Sequence, residues 1–189
     1  MAHAQNRYIA DLRDFQFLLF EQFNLPEILQ HPRFEGMDAD AARMVLGEIY
    51  SFAKEVLGPL DSVGDSEGCR VENGAVRTPT GFHAAFDQMR DGGWTALDCD
   101  PDYGGQGMPE SVGYVFKEMI ESANVAWGTY PLLSAGAVDA LTQHGEEWQR
   151  EVFLKPIVEG RWTGTMCLTE PHCGSDLGLL KTKAEPAAD

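Results

Sequence analysis

No stretch of this 189-residue chain approaches the about 20 consecutive apolar residues that a membrane helix needs, so a bilayer span is not expected. The first residues, MAHAQNRYIADLRD, lack a cationic start followed by an apolar run, so a secretory leader is not expected either. Basic residues are scarce: 14 Lys and Arg stand against 30 Asp and Glu, a net charge of −16. A field of that sign opposes a phosphodiester backbone and removes nucleic acid from the candidate partners. A small anion can still be held, but only by local devices such as backbone N–H groups, helix N-termini and a few placed cations. There are only four cysteines, Cys69, Cys99, Cys167 and Cys173. Their spacing makes no zinc knuckle, and the chain is neither small nor loop-rich enough to need a disulfide framework. Reduced thiols in a soluble, cytoplasmic protein follow. Internal repeats and low-complexity tracts are also missing. Gly105-x-Gly107 lacks the third glycine and the preceding strand of a dinucleotide fingerprint.

What is present is helix pattern. The residues are 43% hydrophobic, enough for one domain and the start of another. Tyr8, Leu12, Phe15, Leu19 and Phe23 recur at helical spacing up to Pro26, and Ile9, Phe17, Leu18 and Phe20 widen the stripe. Asp38 or Asp40 is suited to cap a second helix that buries Val45, Ile49, Phe52 and Val56 and stops at Gly58-Pro59. Residues 61–78 read as an exposed loop with a short hairpin at Asn73-Gly74. Thr80 is placed to cap a helix with Phe82, Phe86 and Met89 inward, closed by Gly92-Gly93. Residues 94–108 form an irregular, Gly-rich loop. Pro109 then opens a helix through Val112, Val115 or Phe116, Met119, Ile120 and Ala123. Pro131 opens the next, with Leu132, Ala135, Val138 and Leu141 inward and His144-Gly145 as its end. A last helix from Glu146 is expected to bury Trp148, Val152, Phe153 and Ile157 before Gly160.

After Gly160 the texture turns to β-formers. Trp162 to Leu168 reads as a strand, residues 169–176 as a tight turn, and Leu180 to Ala184 as the start of a second strand. The turn exposes the hydroxyls of Thr169 and Ser175 and a run of main-chain N–H groups, an arrangement suited to an oxygen-rich anionic or carbonyl ligand. Gly174 lets a ligand approach the backbone closely. An ordinary Ser/Gly turn between strands is the plainer reading of the same residues. His172 and His144 read as solvated or hydrogen-bonded, not catalytic. Arg150, Lys155, Arg161, Lys181 and Lys183 make 150–183 the most basic region; most of these are surface charges, and some can face a phosphate.

The stretch TGTMCLTEPHCGSDLGLLKTK (163–183) closely resembles the flavin-binding segment of acyl-CoA dehydrogenases, whose core is C-x-T-E-P-x-x-G-S-D. Cys167, Thr169, Glu170, Pro171, Gly174, Ser175 and Asp176 carry the match. GGWTALDCDPDYGGQGMP (92–109) resembles that family's Gly-Gly loop. Residues 122–164 resemble its helix pair leading into the β-domain. The first ~60 residues resemble a branch that has an extra N-terminal helical segment and includes methylthiopropanoyl-CoA dehydrogenase-like enzymes.

The resemblance implies a mainly α fold: a helical extension at 1–36, the family's N-terminal helical domain at 37–160, and the start of its β-barrel-like middle domain at 161–189. It implies FAD as cofactor, with Met166, Cys167 and Leu168 along the flavin ring and the Thr169 hydroxyl bonded to the isoalloxazine. Gly174 and Ser175 would lie by the pyrophosphate, Ser175 also reaching the CoA of the substrate. Met166 stands where some relatives carry an aromatic, so ring stacking is not carried over. The implied reaction is α,β-dehydrogenation of an acyl-CoA thioester by a homo-oligomer that passes electrons to an electron-transfer flavoprotein. The catalytic glutamate of the family lies in a C-terminal helical domain absent from these residues, so no catalytic residue is assigned, and the 189 residues alone are expected to be inactive. Glu170 is assigned to structure. An acyl-CoA oxidase or flavin monooxygenase relative, or a non-catalytic helical interaction module, are the competing readings.

Overall fold

A computed structural model of the chain describes residues 6–187. The first five residues of the expected N-terminal extension and the last two of the expected β segment lie outside these. The helical class is borne out, and the ends of the helices show where local chemistry overrode spacing. The Asp11 carboxylate accepts from the Arg13 N–H and opens α1 (Leu12–Gln16), which continues as a π-helical turn, Phe17–Gln22. Only Phe15, Leu19 and Phe20 of the broad stripe are buried; Ile9, Phe17, Leu18 and Phe23 are exposed. Pro26 does not end this helix. The chain turns at Asn24, whose φ is 51°, and Pro26 sits in the first turn of α2 (Leu25–Ile28), where its missing N–H costs nothing.

Asp38 caps α3 (Ala39–Phe52) by accepting from the Ala41 N–H at 2.7 Å. Ala42, Leu46, Ile49 and Phe52 are buried, so the inward stripe runs through Leu46, with Val45 and Val56 at its margin. Gly58-Pro59 does not stop the helix, contrary to its usual effect. A π turn at Ala53–Leu57 leads directly into α4 (Gly58–Glu67), and the Gly58 N–H reaches back to the Ala53 carbonyl. The side chain of Asn6 donates to the Lys54 carbonyl at 2.6 Å, satisfying an acceptor in the turn that Pro59 cannot serve. α4 therefore occupies positions 61–67 of what spacing and glycine content read as loop.

The hairpin at Asn73-Gly74 is as expected. β1 (Arg70–Glu72) and β2 (Ala75–Arg77) pair antiparallel, with Val71 opposite Val76 and positive φ at both turn residues. Gly81, with φ 87°, caps α5 (Phe82–Asp91) in place of Thr80. The Thr80 N–H is instead held by Glu67 Oε2 at 2.8 Å, which ties the end of α4 to the start of α5. Residues 94–108 are irregular but closely bonded. Gln106 and Met108 donate to the Ala96 and Leu97 carbonyls at 2.8 and 2.9 Å. A Cβ on Gly105 would collide with the Cys99 carbonyl, so glycine is required there.

Asn124 separates α6 (Glu110–Ala123) from α7 (Val125–His144). It is almost fully buried, and its side-chain oxygen caps α7 through the Trp127 N–H at 3.0 Å. That cap starts α7 six residues before Pro131, which is therefore interior and not the opening residue. Trp127 is completely buried, packs against Phe52 and Phe86, and donates its indole N–H to the Phe82 carbonyl at 3.1 Å. One core runs from Phe15 to Trp127, so the N-terminal helices share it with α3, α5 and α6.

The last helical stretch reads α8 (Glu147–Gln149), a π turn at Arg150–Leu154, and α9 (Lys155–Val158). Its buried face is Leu154, Pro156 and Val158, packed with Val138 and Ala96. Trp148, Val152 and Phe153, expected inward, point out: Val152 and Phe153 lie within the π turn, whose winding departs from 3.6-residue spacing, and Trp148 lies before it. Gly160, with φ 67°, ends the helix as expected. Among the described residues no helix is long and apolar enough to cross a membrane.

Candidate functional site

The expected strand at 162–168 forms no ladder among the described residues, and neither does 180–184; the pairing in this region is the single bridge Glu170–Cys173. Strands exist only in pairs, and among the described residues no neighbouring strand pairs with this segment. The approach to the turn is fixed instead by α7. The Gly164 N–H donates to Ser134 Oγ at 3.0 Å, and a Cβ at position 164 would meet Ala137 Cβ at 2.6 Å. From that anchor Met166, Cys167 and Leu168 run out exposed, Met166 at 64%.

The turn is closed by two main-chain bonds, Glu170 N–H to the Cys173 carbonyl at 2.9 Å and Cys173 N–H to the Glu170 carbonyl at 3.1 Å. Pro171 follows Glu170, where its fixed φ favours such a reversal. Cys173 is buried beneath it. Gly174 lies beside Thr169, whose methyl would stand 3.3 Å from a Cβ there. The turn thus brings Thr169 and Gly174 together, with Ser175 next in line and exposed, whereas Met166, Cys167 and Leu168 stay strung out along the approach. The N–H groups of 165–169 and of 174–176, and the hydroxyls of Thr169 and Ser175, donate to no acceptor among the described residues. These are unengaged donors along an exposed segment and turn, the kind of group that a ligand rich in carbonyl and phosphate oxygens can use.

Two residues that the sequence did not single out, Ser134 and Thr182, shape this segment and turn, together with the main chain of Lys181, of which the sequence pointed only to the side chain. Glu170 Oε1 accepts from the Thr182 N–H at 2.8 Å and from its hydroxyl at 2.6 Å, and Lys181 N–H lies 3.1 Å from Oε2. The Thr182 hydroxyl, then its N–H and that of Lys181, hold the Glu170 carboxyl below the usual carboxylate range. His172 is hydrogen-bonded, as expected: its Nε2 donates to the Leu179 carbonyl at 2.9 Å. Of the basic residues, Arg161 is taken up by Glu159 at 2.6 Å and Arg150 by Glu147 at 3.7 Å. The ammonium groups of Lys155, Lys181 and Lys183 have no acidic partner among the described residues.

A second concavity of about 640 Å³ lies between α6, α7 and the 94–108 loop, walled by Phe116, Ile120, Ala135 and Val138 with Asp98 and Cys99 at one side. Burial, and then the charge of Asp98, pushes the Cys99 thiol up to about 11, so it stays protonated and unreactive near neutrality.

The family model for the N-terminal domain of acyl-CoA dehydrogenases matches residues 39–161, from the first residue of α3 to just past the end of α9. The chain belongs to the acyl-CoA dehydrogenase family. It is 39% identical over 182 residues to the 3-methylmercaptopropionyl-CoA dehydrogenase of Ruegeria pomeroyi, covering 96% of this chain and 31% of that protein. It is 32% identical over 186 residues to the broad-specificity linear acyl-CoA dehydrogenase FadE5 of Mycobacterium tuberculosis, covering 97% and 30%. A butyryl-CoA dehydrogenase of Syntrophomonas wolfei matches at 29% over 192 residues, 98% and 31%. The resemblance to the acyl-CoA dehydrogenase branch with a helical N-terminal extension therefore holds over nearly the whole chain. The chain spans about a third of the length of these curated relatives.

Proposed function

We propose that this chain supplies the helical domain and the flavin-contacting turn of an FAD-dependent acyl-CoA dehydrogenase acting on the α,β bond of an acyl-CoA thioester. The set of unengaged N–H and hydroxyl donors at 165–169 and 174–176 carries the reading. Its residues fit FAD: Met166, Cys167 and Leu168 would lie along the ring, the Thr169 hydroxyl would donate to a ring carbonyl, and Gly174 and Ser175 would take the pyrophosphate. Ser175 is also assigned to the CoA moiety. Bound FAD would supply the acceptor for the hydride leaving the β-carbon.

The chain's own part is to orient and shield. Backbone N–H groups hold anionic oxygens without adding a mobile cation, which suits a protein of net charge −16. Glu170 is unsuited to take the α-proton: three donors occupy its oxygens and its pKa is lowered, whereas a base needs free lone pairs and a raised value. The resemblance to the family, not the exclusion of Glu170, assigns the base to a glutamate of a C-terminal helical domain outside residues 1–189. We divide the chain into a helical extension (1–36), the helical domain (37–160) and the opening of the β domain (161–189). A cytoplasmic homo-oligomer, with an electron-transfer flavoprotein as acceptor, completes the reading.

The test is expression of the complete coding region. The expected product is yellow, contains one FAD per chain, and bleaches under anaerobic conditions when an acyl-CoA is added. Residues 1–189 alone are expected to show no turnover. A complete product that neither carries nor takes up FAD overturns the reading. Reoxidation faster by oxygen than by an electron-transfer flavoprotein would favour an oxidase.

A further inference from the structure

The loop from Glu170 to Thr182 has almost no apolar core; Cys173 is its buried residue and a 3-10 turn at Leu177–Leu179 its regular piece. Loops of this kind hold one shape only through specific polar bonds. Here those bonds converge on one side chain. Glu170 sits at the entry of the loop, and its carboxylate takes the N–H groups of Lys181 and Thr182 and the Thr182 hydroxyl at the exit. It is only 14% exposed although its neighbours are open to solvent.

We propose that Glu170 is a positioning residue for flavin: it clamps the exit of the 170–182 loop onto its entry and thereby fixes where Thr169, Gly174 and Ser175 stand. The proposal rests on the flavin reading of residues 166–175. A carboxylate receiving several N–H and O–H donors makes charge-assisted bonds about twice as strong as neutral ones, so a single residue can close the loop. His172 adds a second stitch inside it. A carbonyl oxygen only accepts, so the His172 Nε2 bonded to the Leu179 carbonyl carries the hydrogen, and the same Nε2 lies 3.4 Å from Glu170 Oε2. Thr169 precedes the clamp residue directly, and Gly174 packs on the Thr169 methyl, so opening of the loop moves both groups of donors.

The same turn offers an alternative that the bonding argues against. Ligand-capable atoms of Glu170, His172 and Cys173 lie within 4.8 Å of one another, as in a metal site. A metal there would have to displace donors already seated on Glu170 and break the His172 bond to Leu179.

The experiment uses the complete coding product and compares wild type with Glu170→Ala, Glu170→Gln and Thr182→Val. FAD affinity is measured by titration of the apoprotein, and backbone hydrogen exchange is read over residues 177–183. Exchange in α6 and α7 serves as the control for folding. In Glu170→Ala the 177–183 amides are expected to exchange about tenfold faster and FAD to bind about tenfold more weakly, the scale of losing charge-assisted bonds. Glu170→Gln, which keeps one acceptor oxygen, should recover part of both, and Thr182→Val should shift both in the same direction but less. Faster exchange with unchanged FAD affinity would make the clamp merely structural and overturn the proposal. Lost turnover with exchange and affinity unchanged would make Glu170 a reacting group and overturn it too. Micromolar Zn²⁺ binding by wild type that Glu170→Ala abolishes would replace the clamp with a metal site. A wild-type product that takes up no FAD, whatever its exchange pattern, overturns the flavin reading and the positioning role with it.

Discussion

At the scale of single residues, Asn124 shows how one polar side chain can override a stronger-looking signal. It is 1% exposed, caps α7 through the Trp127 N–H, and extends its amide toward the Leu57 carbonyl at 3.5 Å. Removing it leaves the Trp127 N–H at the start of α7 without its cap and takes away the amide that faces the Leu57 carbonyl, each at a cost in free energy. Asn124→Ala is therefore expected to destabilise the chain by roughly 2–3 kcal/mol, combining a lost cap with a buried unsatisfied group, readable as a lower urea midpoint at unchanged slope. Asn124→Ser, which keeps an uncharged capping oxygen but not the amide, should cost less; equal losses for the two would show that the cap carries nothing. Cys99 gives a prediction of a different kind. The thiolate is the reactive form, and burial raises this thiol to about 11, whereas Cys69 and Cys167 are exposed. At pH 8 a maleimide should modify Cys69 and Cys167 rapidly and leave Cys99 largely intact, with its labelling rising only as pH climbs toward that value. Mass mapping of the modified peptides checks this, and rapid labelling of Cys99 would place it at the surface.

At the scale of elements, what could be read from spacing divides by whether the deciding interaction is local. The Asp38 cap, the Asn73-Gly74 hairpin, the Gly92-Gly93 and Gly160 stops and the α6 stripe are all set within a few residues, and all were legible. Pro59 and Pro131 misled because the compensation came from far away or from an unexpected cap: Asn6 serves the Lys54 carbonyl, and Asn124 starts α7 early. Pairing across 48 residues leaves no mark in periodicity. The face of the last helix was misread because a π turn at Arg150–Leu154 shifts the register, and 3.6-residue spacing has no means of showing it. In the candidate site the motif residues were legible from the resemblance, but their support was not: Ser134 holds Gly164 on the approach from 30 residues away, and Thr182 holds Glu170 from 12. Ser134 and Gly164 together define how the approach to the turn lies on α7. Gly164→Val would push side-chain atoms into Ala137 and the Leu133 carbonyl, which is backbone and cannot yield. The expected outcome is detachment of 162–168 from α7 with the helices intact: unchanged far-ultraviolet circular dichroism, an altered Trp162 fluorescence maximum, and FAD affinity in the complete product lowered about tenfold or more, the scale of a misplaced site. Retention of wild-type affinity would show that this approach does not position the flavin residues.

At the scale of the whole molecule, two surface properties pull against solubility and compactness in opposite ways. Trp148, Phe153 and Trp162 form an exposed aromatic row, with successive ring centres 6.1 and 6.3 Å apart, near the exposed Leu132 and Leu133 of α7. Against association of such apolar surface stands the net charge of −16, which keeps copies apart but also strains each one. The exposed ion pairs, such as Arg13–Glu21 at 2.6 Å and Arg90–Asp87 at 2.8 Å, contribute little each and are weakened by salt. Fourteen cations cannot pair thirty anions, so sixteen acidic groups remain uncompensated whatever the pairing. Repulsion among these outweighs the attraction lost on screening, which fixes the sign of the salt effect. Raising NaCl from about 0.01 M to about 0.15 M shortens the Debye length from roughly 30 to roughly 8 Å and should stabilise the chain. A gain of about 1 kcal/mol corresponds to a rise in Tm of roughly 2–4 °C for a chain of this size, measurable by scanning calorimetry. The same change should leave the Asn124→Ala difference intact, because that site is buried and uncharged. A Tm that falls with salt would mean that the surface pairs outweigh the repulsion, and that the acidic excess lies too dispersed to strain the fold.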